Sequence, residues 1–418
     1  MRLASFLTRR PTADKLRQRN IIRVGPHAAP SLAATHRTLM KKRQQDALSR
    51  AIKNRRSVED LIKANIIRGG CCAFFPDPDD RSRLTTHMDA LSAFLKTRPS
   101  IDQVKSAHLI EDVMMWSTIH VNKGAPAPRN CHTVTLVGRK LFSLAGYVVP
   151  PSPALTHVFD SDTACWSEPS ESGTIPVTRY AHSSAAVGRF IYMFGGYNEA
   201  HGWLNDVHAL DTDAFVWLAP PVHGIAPEPR AAHSILLAAD SRLYVFGGND
   251  RGNLYNCVWT LDTSSWAWAK LEPAGTAPSP RSGHAAVMHG TLMVVFGGGS
   301  GWNGDTYNDL NVLDTERCLW YRPSFTGTPP SPRSGHSATL IGSKMFVFGG
   351  GDQKRSYNDL HIMDLATMSW SRPCDTGDVP LPRAGHTATS IGHLLLVFGG
   401  GSPQGAVHND MAVLDTEF

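Results

Sequence analysis

The chain has 418 residues, 42% of them hydrophobic and 18% charged, and a formal net charge of +5. That length exceeds one ordinary domain, and its apolar content suffices for a packed core, but no stretch approaches the ~18–20 apolar residues of a membrane-spanning helix. Seven cysteines, at positions 71, 72, 131, 165, 257, 318 and 374, show no Cys-x-x-Cys or Cys/His spacing, so neither a zinc site nor a disulfide framework is indicated and a reducing compartment is the simplest reading.

Charge is distributed unevenly. Residues 1–112 carry 22 Lys+Arg against 11 Asp+Glu, a net of +11, whereas the remaining 306 residues carry 19 against 25, a net of −6. A basic arm of this kind attracts acidic partners, whether nucleic acid, anionic lipid or acidic protein. Three segments of the arm, 3–22, 48–67 and 91–110, align with one another without gaps. Each opens with two apolar residues four apart, Leu3 and Leu7, Leu48 and Ile52, Leu91 and Leu95, which share one face of a helix. A turn follows at Arg10-Pro11, Arg55-Arg56 or Arg98-Pro99, where proline disfavours helix at the residue before it. Thr12, Ser57 and Ser100 then stand at N-cap positions, with Asp60 and Gln103 placed to complete a capping box in the second and third copies. Second-helix apolar positions are Leu16 and Ile21, Leu61 and Ile66, Val104 and Leu109. Each unit is too short to be stable alone and is expected to fold on a partner.

This arrangement resembles the RPEL motif. The resemblance implies that monomeric actin is the partner. The first-helix anchors would be Leu3, Leu7, Leu48, Ile52, Leu91 and Leu95, the polar turn contacts Arg10, Arg55 and Arg98, and the second-helix contacts the six residues just named. Lys15 stands for the expected Glu in copy one. Copy two has Arg56, Asp60 and Ala64 for Pro, Glu and Arg, and copy three has Gln103, Val104, Ala107 and His108 for Glu, Leu, Arg and Asn. The copies therefore rank one, two, three as actin binders. Two alternatives compete. Residues 1–10 could serve as a mitochondrial presequence, and the arm, centred on Lys41-Lys42-Arg43, could bind nucleic acid or direct nuclear import. Neither requires the same pattern to return at 48–67 and 91–110. Cys71-Cys72 reads as a buried or linker pair ahead of a palmitoylation site.

From residue 112 onward, a Trp is followed thirteen residues later by Arg and three further on by His. The Arg/His pairs are 129/132, 179/182, 230/233, 281/284, 333/336 and 383/386, 50 to 52 residues apart. A hydrophobic strand follows each, ending in Ala145-Gly146, Gly195-Gly196, Gly247-Gly248, Gly297-Gly298, Gly349-Gly350 or Gly399-Gly400. A variable loop comes next, then a strand ending at Asp160, Asp211, Asp262, Asp314, Asp364 or Asp415, and a turn to the next Trp. The pattern predicts four short strands per unit. It resembles the Kelch repeat, which implies a β-propeller of six blades, because one unit cannot bury both faces of its sheet.

The last copy stops without a Trp strand, while an extra one surrounds Trp116. The fold expected is therefore an all-β six-bladed propeller over 112–418, closed by an N-terminal strand and preceded by an α-helical extension over 1–111. The His and Arg ladders read as structural, since equivalent positions are spread around a ring. Blade I departs from the pattern with Ala154-Leu155 for Asn-Asp and with the loop Pro150-Pro151-Ser152-Pro153, and blade III has Asn256-Cys257. The loops after the glycine pairs carry Tyr197, Trp203, Trp302 and Tyr307, candidates for a face that binds a partner protein. Some Kelch-type propellers hold a copper radical centre. No cluster of Tyr, His and Cys stands outside the ladder here, so no enzyme activity and no cofactor or metal is expected. The sequence reading is a non-enzymatic, cytoplasmic actin-binding scaffold, with nuclear shuttling or mitochondrial import as alternatives.

Overall fold

A computed structural model describes residues 113–121, 124–148, 154–301, 304–402 and 405–416; the three helix-turn-helix segments expected in 1–111 lie outside the described residues. Six sheets of four core strands are present, and no helix occurs among the described residues. Blade I is built from Thr133–Val137, Lys140–Leu144, Thr156–Asp160 and Cys165–Ser167, each strand antiparallel to the next. Blades II to V repeat that order.

Blade VI is completed from the far end of the sequence. Val113–Thr118 lies against Met411–Asp415, with Trp116 opposite Leu414. Trp370 stands opposite Met363 and Trp217 opposite Leu210 in the same register, so the N-terminal strand takes the place that the fourth strand holds elsewhere. The closure expected from the two ends is present, and it gives blade VI the fourth strand that the other blades have.

Two features exceed the four-strand expectation. Blades II, IV and VI gain a short parallel outer strand at Ser172–Gly173, Ala274–Gly275 and Cys374–Gly377. In blade II the variable loop is itself sheet: Phe190–Asn198 and Gly202–Asp211 pair beyond the glycine pair, with a bulge between Phe194 and Gly196.

The repeated residues have the structural jobs expected of them. Asp160 Oδ1 accepts from the amides of Asp162 and Thr163 at 2.9 and 3.0 Å, and Asp211, Asp262, Asp314 and Asp364 repeat the turn. Gly196 has φ 98°, and a Cβ there would lie 2.8 Å from His182 Cβ, so this position requires glycine. Five of the tryptophans pack between blades against a phenylalanine of the preceding one, whereas Trp217 clusters with Leu144, which stands at that position in blade I. Centroid separations are 4.9 Å for Trp116–Phe348, 4.9 Å for Trp166–Phe398, 5.0 Å for Trp268–Phe194 and 5.0 Å for Trp370–Phe296. An acceptor for every indole N–H is not provided. Trp217 donates to Glu171 and Trp116 to Asp375, but Trp166, Trp268 and Trp370 have no acceptor among the described residues.

Trp116→Ala should destabilise the propeller by about 3–5 kcal/mol, as Trp370→Ala should, because both empty the same kind of inter-blade pocket. Equilibrium denaturation checks this. A near-neutral Trp116→Ala would contradict the closure.

Candidate functional site

Antiparallel strands place the loops after the glycine pairs and the links between blades on one side of the ring. The arginine, the histidine and the glycine pair of every blade also gather there. The residue two after each arginine builds the rim. The amide of Cys131 donates to the carbonyl of Gly385 (2.7 Å), Ala181 to Cys131 (2.8 Å), Ala232 to Ala181 (2.7 Å), Gly283 to Ala232 (2.9 Å), Gly335 to Gly283 (2.8 Å) and Gly385 to Gly335 (2.8 Å). The six bonds form a closed circle, one per blade, and all six residues lie at φ between 51° and 65°.

The histidines follow one residue further on. His132 Nε2 meets Thr387 Oγ1 of the preceding blade at 3.1 Å, His182 meets Thr133 at 3.0 Å, His284 meets Ser234 at 3.0 Å and His386 meets Ser337 at 2.9 Å. Burial, followed by the neighbouring arginines, pushes His182, His284 and His386 down to about 3 and lowers His132, His233 and His336 well below the ordinary imidazole value. The ladder is thus a ring of neutral, buried imidazoles, four of them bonded to hydroxyls, while His233 and His336 have no ring-nitrogen partner among the described residues.

The six arginines are fully buried, and each donates Nη1 to the carbonyl before the last residue of its glycine or alanine–glycine pair, at 2.8–3.2 Å. In blades II, IV, V and VI the same guanidinium grips Asp206, Asp309, Asp359 or Asp410 through both terminal nitrogens. Burial alone would raise the Asp359 carboxyl, but bonds from His361 and Arg333 outweigh it and hold the group well below its usual value. The asparagine before each of these carboxylates bonds the next blade: Asn205 to Pro227, Asn308 to Pro330, Asn358 to Pro380 and Asn409 to Pro126. In blade III Asn256 reaches Pro278, but Cys257 replaces the carboxylate, and Glu228 supplies one to Arg230 at 2.7 Å instead.

Around this rim the exposed surface is uneven. The residues following Arg and the glycine pair are small in blades III to VI, except for Asn249: Ala231, Ser282, Gly299, Ser334, Gly351, Ala384 and Gly401. Blade I has Tyr147 after its Ala-Gly pair, with Asn130 after Arg129, and blade II has Tyr180 and Tyr197 at the two positions. Tyr147 packs edge-on against Tyr180 at 5.8 Å, Tyr180 lies 5.4 Å from Tyr197, and Tyr197 meets Trp203 edge-on at 4.8 Å. Tyr147 is 43% exposed, and Val177 and Ile175, on the segment leading to Arg179, are 40% and 49% exposed. The result is an aromatic wall on one side of the rim.

Of the four loop aromatics singled out in the sequence, Tyr197 and Trp203 form part of this wall. Trp302 lies outside the described residues. Tyr307 sits in blade IV with its ring over the Arg281 guanidinium at 4.7 Å, as Tyr255 and Tyr357 cover Arg230 and Arg333. Sequence reasoning passed over Tyr147 and Tyr180. Their signal was available: they stand at offsets where the other blades keep small residues or asparagine. The actin contacts assigned to the arm, from Leu3 to Leu109, lie outside the described residues.

This architecture defines a six-bladed propeller whose loop face carries an aromatic wall. Residues 132–320 match the family model described as the KLHDC2/KLHL20/DRC7 Kelch-repeats domain, and residues 231–418 match the FBX42 beta-propeller domain. The chain therefore carries a Kelch-repeat β-propeller, a protein-interaction domain. Acyl-CoA-binding domain-containing protein 4 of Arabidopsis thaliana is 35% identical over 252 residues, covering 45% of this chain and 37% of that protein. Host cell factor homolog hcf-1 of Caenorhabditis elegans is 31% identical over 275 residues, covering 60% of this chain and 35% of that protein. Kelch domain-containing protein 3 of Bos taurus is 29% identical over 262 residues, covering 57% and 67%. The match to the first two thus spans little more than a third of their length. The solved structure of YjhT superimposes with a TM-score of 0.57 at 17% identity, over 70% of this chain and 96% of that one, and is alike in fold.

The neutral imidazole ring sets an acid limit on stability. Folded values near 3 against about 6.5 unfolded mean that the unfolded chain binds more protons between those limits. Stability is therefore complete above pH 6.5 and falls as pH drops, by up to about 1.4 kcal/mol per pH unit for each imidazole. Thermal melts from pH 7 to pH 5 should show a steadily falling Tm, and His336→Leu, which removes one titrating ring, should show a shallower slope. A flat profile would contradict the assignment.

Proposed function

We propose that the chain is a non-enzymatic scaffold, in which the aromatic wall of the propeller seats a partner protein and the motifs of the basic arm hold actin monomers. The observation that carries the propeller half is the continuous contact of Tyr147, Tyr180, Tyr197 and Trp203 on the face that bears the variable loops. Tyrosine and tryptophan supply large apolar area at small cost in side-chain entropy and keep a polar edge for hydrogen bonding, which suits them to the centre of a protein interface. Support for the actin half is the gapless alignment of 3–22, 48–67 and 91–110, each with its apolar pair, turn arginine and capped second helix. Three such units on one chain would let it hold several actin monomers at once. The net charge of +11 over 1–112 leaves nucleic-acid binding as the competing reading.

Two variants of the full chain separate these roles. With Arg10, Arg55 and Arg98 all changed to Ala, capture of purified monomeric actin should fall at least tenfold. With Tyr180→Ala and Tyr197→Ala, actin capture should be unchanged while proteins retained by the propeller are lost. Undiminished actin capture by the triple variant would refute the actin reading, and RNA binding with a steep salt dependence would favour its rival. Retention of the same proteins by the tyrosine variant would remove the aromatic wall from the interface.

A further inference from the structure

Blade I differs from the other five where its core meets the loop face. Leu155 stands where four blades have the clamping carboxylates Asp206, Asp309, Asp359 and Asp410. Ser143 stands where the others have Met193, Val245, Val295, Val347 and Val397. His157 lies directly across the ladder from Ser143, so the two side chains share one face of the sheet.

The guanidinium at this blade is accordingly left incomplete. Arg129 Nε donates to the carbonyl of Ala127 at 3.3 Å and Nη1 to that of Ala145 at 3.2 Å. Nη2, which in the other five blades reaches a carboxylate oxygen at 2.7–2.9 Å, has no acceptor among the described residues, although Arg129 is fully buried. Ser143 Oγ, also fully buried, has none either. Leu155 does not compensate, for it packs among Phe142, Leu144, Ile191 and Trp217. Glu168 acts on Arg129 only at a distance: its side chain is 63% exposed and lies 3.9 Å from His157 Nε2. Burial lowers Arg129 to about 10, so it keeps its charge at neutral pH. Among the described residues, a buried cation with an idle donor, on the same blade as a buried hydroxyl where other blades have Met or Val, is a polar site without its complement.

We propose that Arg129 Nη2, with Ser143 Oγ and the His157 ring on the same blade, is the donor site that binds one carboxylate supplied from outside the chain. The chemistry is that of the four clamped blades, with the aspartate replaced by a ligand. Arg129 and Asn130 pair with Val148 and Tyr147, so the site lies directly beneath the first ring of the aromatic wall.

The test is the Tm of the full chain as sodium acetate replaces sodium chloride at constant ionic strength. Wild type should gain about 3 °C, saturating with acetate. Leu155→Asp, which restores an internal carboxylate, should gain nothing from acetate relative to its own Tm in chloride. Ser143→Val, which installs the valine of four other blades, should fold normally and respond several-fold more weakly. No response in wild type, or equal responses in all three proteins, overturns the site. A peptide blocked at both ends and bearing one glutamate, compared with its glutamine counterpart, identifies the source. A gain specific to glutamate assigns the carboxylate to a protein side chain, and a gain from acetate alone assigns it to a small free acid.

Discussion

Six peptide hydrogen bonds, running from Gly385 through Cys131, Ala181, Ala232, Gly283 and Gly335 and back, join the blades into one circle. Each residue must adopt a left-handed backbone to donate to one neighbour and accept from the other. For Cys131, Ala181 and Ala232 that conformation costs about 1–2 kcal/mol apiece, which the paired peptide groups offset because an unpaired one at this depth would cost as much or more. Everything nearby is positioned by this circle. The next residue in each blade is the histidine, the preceding two lead from the arginine, and the glycine pair packs close enough to exclude a Cβ.

Because the circle fixes the backbone so tightly, variation is confined to side chains that project from it. The histidines are neutral, four of them bonded to hydroxyls, and four arginines are neutralised within their own blades. Such groups are inert. What remains for recognition is the outer lining of the rim, and there blades I and II break the sixfold pattern with tyrosines and a tryptophan. Blade I breaks it a second time inside, by losing the carboxylate of Arg129. The two departures are adjacent, since the strand that carries Arg129 pairs with the one that carries Tyr147.

The ring, its blade count and its closing strand were legible in the sequence because their signals are periodic. A Trp thirteen residues before each Arg, repeated six times, locates Trp116 in the last blade as surely as Trp370 in the fifth. The jobs of Asp160 and its equivalents were legible too, since a turn aspartate acts within three residues of itself. The aromatic wall was only half visible. Tyr197 and Trp203 stood out as loop aromatics, whereas Tyr147 and Tyr180 belong to it through contacts between blades that no local spacing reveals. Tyr307 illustrates the converse: a loop position alone does not distinguish a ring offered to a partner from one laid over a guanidinium. The circle itself was hidden because its bonds are made by peptide groups, and its trace in the sequence is only the small residue two places after each arginine.

Native-state hydrogen exchange of the six rim amides tests the central claim most directly. If the circle holds the blades as one unit, the amides of Cys131, Ala181, Ala232, Gly283, Gly335 and Gly385 should exchange together, among the slowest in the protein and with the free energy of global unfolding. Exchange of the Cys131 and Ala181 amides well ahead of the other four would show that blades I and II open on their own, and would contradict it.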